Sequence, residues 1–135
     1  MRGSRWIFAM VAALAVAAAC SHDSIGGPPP ARAGTLIVRL TTPHTDDGAM
    51  TFQVSGPPID SAIGVNASLR LFTRRVGDST IVGALVGRLA SGAVVTLHVR
   101  DVGAAAAYTA TLREVADRQD ALRGSLTGYA LTVAP

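Results

Sequence analysis

From Leu36 onward, apolar side chains recur at every second position in one short segment after another. Leu36, Val38 and Leu40 alternate with Ile37, Arg39 and Thr41; Met50, Phe52 and Val54 alternate with Thr51, Gln53 and Ser55; Val95, Leu97 and Val99 alternate with Thr96, His98 and Arg100. Leu69 and Leu71, and then Tyr129, Leu131 and Val133, carry shorter versions of the same pattern. Successive side chains of an extended chain point to opposite faces, so a strand with one buried face produces this period and a helix does not. Ile81 to Leu89 is instead a nearly continuous apolar run containing Gly83 and Gly87, which suits a central strand.

The breaks between these runs carry turn residues. Pro43 to Gly48 reads PHTDDG, and its Asp-Gly pair is a hairpin signal; Gly77-Asp78 and Ser91-Gly92 mark two further joins. Gly56-Pro57-Pro58 opens the longest loop, which runs to about Ser68. Six or seven short strands punctuated in this way predict an all-β domain over 35–135. Its expected form is a sandwich of two antiparallel sheets with about seven strands, immunoglobulin-like in architecture. One cysteine in the whole chain leaves no pair to pin the sheets. Aromatics are only 4% of residues, so aliphatic side chains must supply most of the core.

One stretch reads two ways. Tyr108, Leu112, Val115, Gln119 and Leu122 fall at helical spacing, with Gly124 placed as a C-terminal cap and four alanines at 104–107 adding helix propensity. Thr109 and Thr111, alternating with Ala110 and Leu112, fit a strand. The strand over about 107–116 is the favoured reading, followed by a loop or short turn and a last strand; a helix over 104–123 is the alternative.

The chain before this domain has a different character. Arg2 and Arg5 precede an apolar run, Trp6 to Ala19, of 14 residues that ends in Ala17-Ala18-Ala19 and then Cys20. That length fits a secretory signal core and falls short of the roughly 20 residues a membrane-spanning helix needs. With its small residues directly before a lone cysteine, the segment resembles the signal of bacterial lipoproteins. Their lipobox ends in the cysteine that takes the lipid; Ala17 stands where the family usually has leucine. The resemblance covers about the first 21 residues and implies acylation of Cys20 and a permanent anchor, since several acyl chains hold where one binds only reversibly. Ser21, in place of the aspartate that favours inner-membrane retention in such proteins, points to the outer membrane of a bacterial envelope. Ordinary cleavage before Cys20, giving a secreted domain with a free thiol, is the alternative. The division expected is therefore a signal peptide at 1–19, a lipidated N-terminus and linker at 20–34, and the β domain at 35–135. The linker contains Gly26-Gly27 and Pro28-Pro29-Pro30, a composition that favours an extended path.

Charge narrows the function. The chain has 12 arginines, no lysine and 9 acids, and the part from Cys20 onward has 10 arginines against those 9 acids. So even a balance provides no broad field for nucleic acid, and no nucleic-acid partner is expected. The absence of lysine excludes a phosphate-loop lysine, a Schiff-base lysine and a Ser-x-x-Lys acylation site, and no G-x-S-x-G elbow occurs.

The remaining polar constellation is His44-Thr45-Asp46-Asp47-Gly48. Asp46 and Asp47 are candidates for a calcium-type metal site, with Asp60, Asp78 or Asp101 as the acids that would have to join them in space. Aspartate is also simply a favoured turn residue. His98 sits on the polar side of its strand with no acid or nucleophile beside it in sequence. No catalytic residue and no cofactor is expected. The function that best fits is a membrane-anchored envelope lipoprotein whose small non-catalytic sandwich binds a protein or glycan or supports envelope structure. A metal-dependent or hydrolytic site on the 44–48 loop is the alternative.

Overall fold

The computed structural model describes residues 26–135. The signal, Cys20, His22 and Asp23 lie outside the described residues. Eight strands follow in order: β1 (Gly34–Thr41), β2 (Asp47–Ser55), β3 (Ile59–Gly64), β4 (Arg70–Arg75), β5 (Thr80–Val86), β6 (Gly92–Val99), β7 (Thr109–Asp117) and β8 (Ala130–Ala134). A short 3-10 helix, Val102–Ala107, lies between β6 and β7. The strands form two four-stranded sheets, β3-β6-β1-β8 and β4-β5-β2-β7, in which every pairing is antiparallel. The protein is a β-sandwich, as the alternation requires, with eight strands where the sequence predicts about seven: the stretch from Gly56 to Ser68, which reads as the longest loop, contains β3.

The pairing is nested. β4 pairs with β5, β3 with β6, β2 with β7 and β1 with β8, as in one long ribbon folded over; β1·β6 and β2·β5 then complete the sheets. Only β4 and β5 form a hairpin within one sheet; its turn runs through Gly77, at φ 72°, and Val76 N–H donates to the Thr80 carbonyl at 2.9 Å. Every other connection crosses between sheets. The Pro43–Gly48 segment is one of these crossings, so its Asp-Gly pair starts β2 and does not turn a hairpin.

The inward faces are those the sequence marks. Leu36, Val38 and Leu40 of β1 face Met50, Phe52 and Val54 of β2 across the sandwich, with Leu85 and Leu97 beside them, all buried. Each such side chain contributes about 1.5–3 kcal/mol by leaving water. Phe52 pairs with Gly83, and a Cβ on Gly83 would stand 2.5 Å from the Phe52 ring. The glycine inside the apolar run is therefore space for the Phe52 ring, which is fully buried. β5 is a central strand, as that run suggests.

The ambiguous stretch is a strand. Ala104 to Ala107 belong to the 3-10 helix, and β7 follows directly. The helical spacing has a physical source: β7 carries a bulge, so that Phe52 pairs with Leu112 and Thr51 with Glu114, leaving Arg113 as the extra residue. The bulge shifts the inward phase from Leu112 to Val115, and the three-residue step imitates a helix face.

The end of the linker is fastened to the domain. The Asp101 carboxylate accepts the Arg32 backbone N–H at 3.2 Å and that of Gly103 at 2.9 Å, capping the 3-10 helix, while Val102 N–H donates to the Arg32 carbonyl at 2.8 Å.

Candidate functional site

The sandwich has two polar ends. At one end, where β1 starts and β6 finishes, the linker meets Asp101, and Arg100 pairs with Asp60 at 3.0 Å. Asp78 lines a shallow recess there with Asp60, Arg75 and Arg100. At the other end, beyond the last residue of β1, lie His44, Asp46 and Asp47. The five acids considered as possible co-ligands are thus divided between opposite ends: Asp60, Asp78 and Asp101 are not brought to Asp46 and Asp47.

Asp47 is the only buried charged residue among the described residues. It turns inward because β2 starts with an irregularity: Asp47 pairs with Asp117 and Ala49 with Ala116, so Gly48 has no partner of its own. This puts Asp47 on the same side as Met50, against the simple alternation. Gly48 fits the bulge because its α-carbon lies hard against the chain of β7; a Cβ there would be 3.0 Å from the Asp117 carbonyl oxygen. Backbone bonds fasten the turn on both sides: Arg118 N–H donates to the Asp46 carbonyl at 2.9 Å, Gly87 N–H to Gly48 at 2.9 Å and Leu89 N–H to Asp47 at 3.1 Å.

The carboxylate of Asp47 is fully engaged. Arg123 reaches Oδ1 with Nε at 3.0 Å and a terminal nitrogen at 2.8 Å; the Tyr129 hydroxyl lies 2.9 Å from Oδ1 and 3.0 Å from Oδ2; the Thr42 hydroxyl donates to Oδ2 at 2.5 Å. The same Arg123 nitrogen contacts Asp46 Oδ1 at 2.5 Å, so one guanidinium bridges both carboxylates. Thr42 in turn accepts the His44 backbone N–H at 3.0 Å, and the His44 ring lies over Tyr129 with centroids 5.8 Å apart. Four pieces of chain meet here: the end of β1, the start of β2, the loop after β7 and the start of β8.

The electrostatics follow from these contacts. Burial alone would raise the Asp47 carboxyl. The hydrogen bonds from Thr42, Arg123 and Tyr129 together with the arginine charge outweigh it, so the group is held below the ordinary carboxylate value. The bond to Asp47 raises the Arg123 guanidinium in spite of desolvation. Tyr129 is raised, first by burial and then by the neighbouring Asp47 carboxylate, which resists a second negative charge.

An acid with its oxygens so occupied is a poor base and a poor metal ligand. A cation entering between Asp46 and Asp47 would have to displace Arg123. Among the described residues no three His, Cys, Asp or Glu side chains converge in a way that could hold a metal ion. What the arrangement does is fasten: a permanent charge pair closes one end of the sandwich. No protein-family model matches the chain, and no curated protein or solved structure matches it.

Arg123, Tyr129 and Thr42 are the members of this cluster that sequence reasoning does not single out. Arg123 lies in irregular chain 76 residues from Asp47, where no periodicity points at it. The available signal is the demand itself: an acid drawn into an apolar core needs a cation. His98 is exposed on its strand, as its phase indicates.

Proposed function

We propose that this chain is a bacterial envelope lipoprotein. In this reading Cys20 carries the lipid, residues 20–34 tether the domain, and the β-sandwich at 35–135 is a non-catalytic module that binds a protein or glycan partner or supports envelope structure. The observation that carries the reading is the order of segments in the sequence: Arg2 and Arg5, the apolar run to Ala19, a single cysteine, then a proline-rich stretch and a compact domain. Ser21 favours the outer membrane. The engagement of Asp47 by Arg123, Tyr129 and Thr42 supports a structural rather than catalytic use of the 44–48 loop.

Intact mass and detergent partitioning of the wild type beside Cys20→Ser test the reading. The wild type is expected in the detergent phase with the mass of an acylated N-terminus, and Cys20→Ser in the aqueous phase. An unmodified, water-soluble mature wild type would overturn it.

A further inference from the structure

The sheet β4-β5-β2-β7 presents an outer face unlike that of an ordinary exposed sheet. On β4, Arg70, Phe72 and Arg74 point outward, opposite Val86, Ala84 and Val82 of β5. The next strands continue the rows: Ala49 pairs with Val86 and Ala116, and Thr51 with Ala84 and Glu114. Phe72 is 61% exposed and Leu122, from the loop after β7, is 68% exposed. Between them Ala49, Ala84, Val86, Ala116 and Leu122, with the acid Glu114, line a shallow recess of about 170 Å³. Strands lie roughly 4.8 Å apart, so this apolar strip crosses about 15 Å of sheet.

Its charges are largely of one sign. Arg70 and Arg74 flank Phe72 on one side, and neither is in an ion pair among the described residues. On the other side Arg113, the bulge residue of β7, reaches Gln53 Oε1 at 2.6 Å on the same outer face, beside the single acid Glu114. Three arginines against one acid, around exposed apolar side chains, is a surface complementary to something flat, apolar and anionic.

We propose that this face docks on an anionic lipid bilayer. Interfacial binding draws on both properties the face combines, apolar area and basic charge beside acidic headgroups. Two other occupants suit it less well. A second copy would bring like-charged arginine rims together. The strongest protein contacts centre on an anchor side chain seated in a pocket, and this recess, shallow and with Ala49, Ala84 and Ala116 in its lining, gives an anchor little depth. The proposal deepens the lipoprotein reading and rests on it for the tether. The twelve residues from Cys20 to Ala31, before the fastened Arg32, reach roughly 35–40 Å when extended, enough to let the domain lie on its side against the membrane that anchors it. Tethering turns a weak surface affinity into an intramolecular contact.

The test uses the full chain with Cys20→Ser in every arm, so that acylation plays no part. Co-sedimentation is measured with vesicles of phosphatidylglycerol and phosphatidylcholine against phosphatidylcholine alone. The Cys20→Ser chain is expected to favour the anionic vesicles. Adding Arg70→Glu with Arg74→Glu is expected to weaken that binding at least about tenfold, given the gain expected per basic residue at such a surface. Phe72→Ser with Leu122→Ser is expected to weaken binding to the same vesicles. Arg39→Glu, on the outer face of the other sheet, is expected to change it little. If the β4 variants lose their β-sheet circular dichroism, Arg113→Glu on β7 takes their place with the same expectation. Equal effects of Arg39→Glu and the β4 reversals would overturn the proposal, as would binding indifferent to phosphatidylglycerol. So would self-association on sizing that the face variants abolish while vesicle binding stays unchanged. Absence of acyl mass on wild-type Cys20 would count against the lipoprotein reading alone.

Discussion

Two Arg–Asp pairs close the two ends of this sandwich, and they differ in nearly everything but their atoms. Arg123 meets Asp47 at 2.8 Å with side chains 17% and 0% exposed; Arg100 meets Asp60 at 3.0 Å with side chains 74% and 46% exposed. The distances are almost equal, so distance does not separate them. The surroundings do. Around Arg100 and Asp60 water solvates each ion as well as the partner does, and salt screens what remains. Around Asp47 water has been removed, and Arg123, Tyr129 and Thr42 replace its hydration. The lesson is that removal of one partner is costly only where the other has been desolvated.

The largest effect expected is that of Asp47→Ala. It strands the Thr42 and Tyr129 hydroxyls and leaves Arg123 only the half-exposed Asp46 as partner, and should cost about 3 kcal/mol, near the lower end for breaking a buried pair. Urea unfolding measures it, and a loss no larger than that of Asp60→Ala would break the comparison. Acid should act next. Because Asp47 is held below its ordinary value when folded, its contribution is complete above the unfolded value of about 3.9 and is lost as pH falls through the lower folded value. Melting temperature against pH should therefore fall in acid for the wild type, and Asp47→Asn should flatten that fall. On the alkaline side Tyr129 and Tyr108 are both raised, chiefly by burial, so their contributions hold below the unfolded value of about 10 and fade as pH rises through the higher folded values.

Tyr129→Phe isolates a single member of the buried end. It removes one hydrogen bond to a charged acceptor while keeping the ring against His44, and should cost about 1.5 kcal/mol by urea unfolding. The smallest effect belongs to the exposed end: Asp60→Ala should change stability by no more than about 0.5 kcal/mol, and high salt should erase the difference. A salt-resistant loss at Asp60 would mean that the two ends are more alike than their exposure implies.

The sequence and the structure agree most where strands are regular. Leu36, Val38 and Leu40, like Val95, Leu97 and Val99, alternate without interruption and are buried as their period dictates. Agreement ends at bulges. The irregularity at Gly48 turns Asp47 inward, when counting back from Met50 by twos would leave it outside; the one in β7 makes Leu112 and Val115 look helical. Alternation also says which side of a strand is buried and nothing of which sheet the strand joins. The Asp47-Gly48 signal therefore suggested a hairpin where the chain crosses between sheets. Arg123 was illegible for a different reason: its role is set by a partner distant in sequence, and irregular chain carries no period to reveal it. The outer faces make the same point, since exposed positions of either sheet satisfy the pattern equally. Thr35, Arg39, Thr96 and the exposed Ile63 lie on the outer face of one sheet, while Ala84, Val86 and Phe72 lie on that of the other.

The fastening of Arg32 to Asp101 and Val102 has a mechanical consequence. Any pull on the N-terminal segment arrives first at this clasp and then at Gly34, the first residue of β1. β1 is an inner strand, bonded to β6 along one side and to β8 along the other. A force directed along its axis loads both ladders at once in shear, so the bonds share it instead of opening one after another as in an unzipped hairpin. The domain is thus gripped by a strand well placed to bear tension.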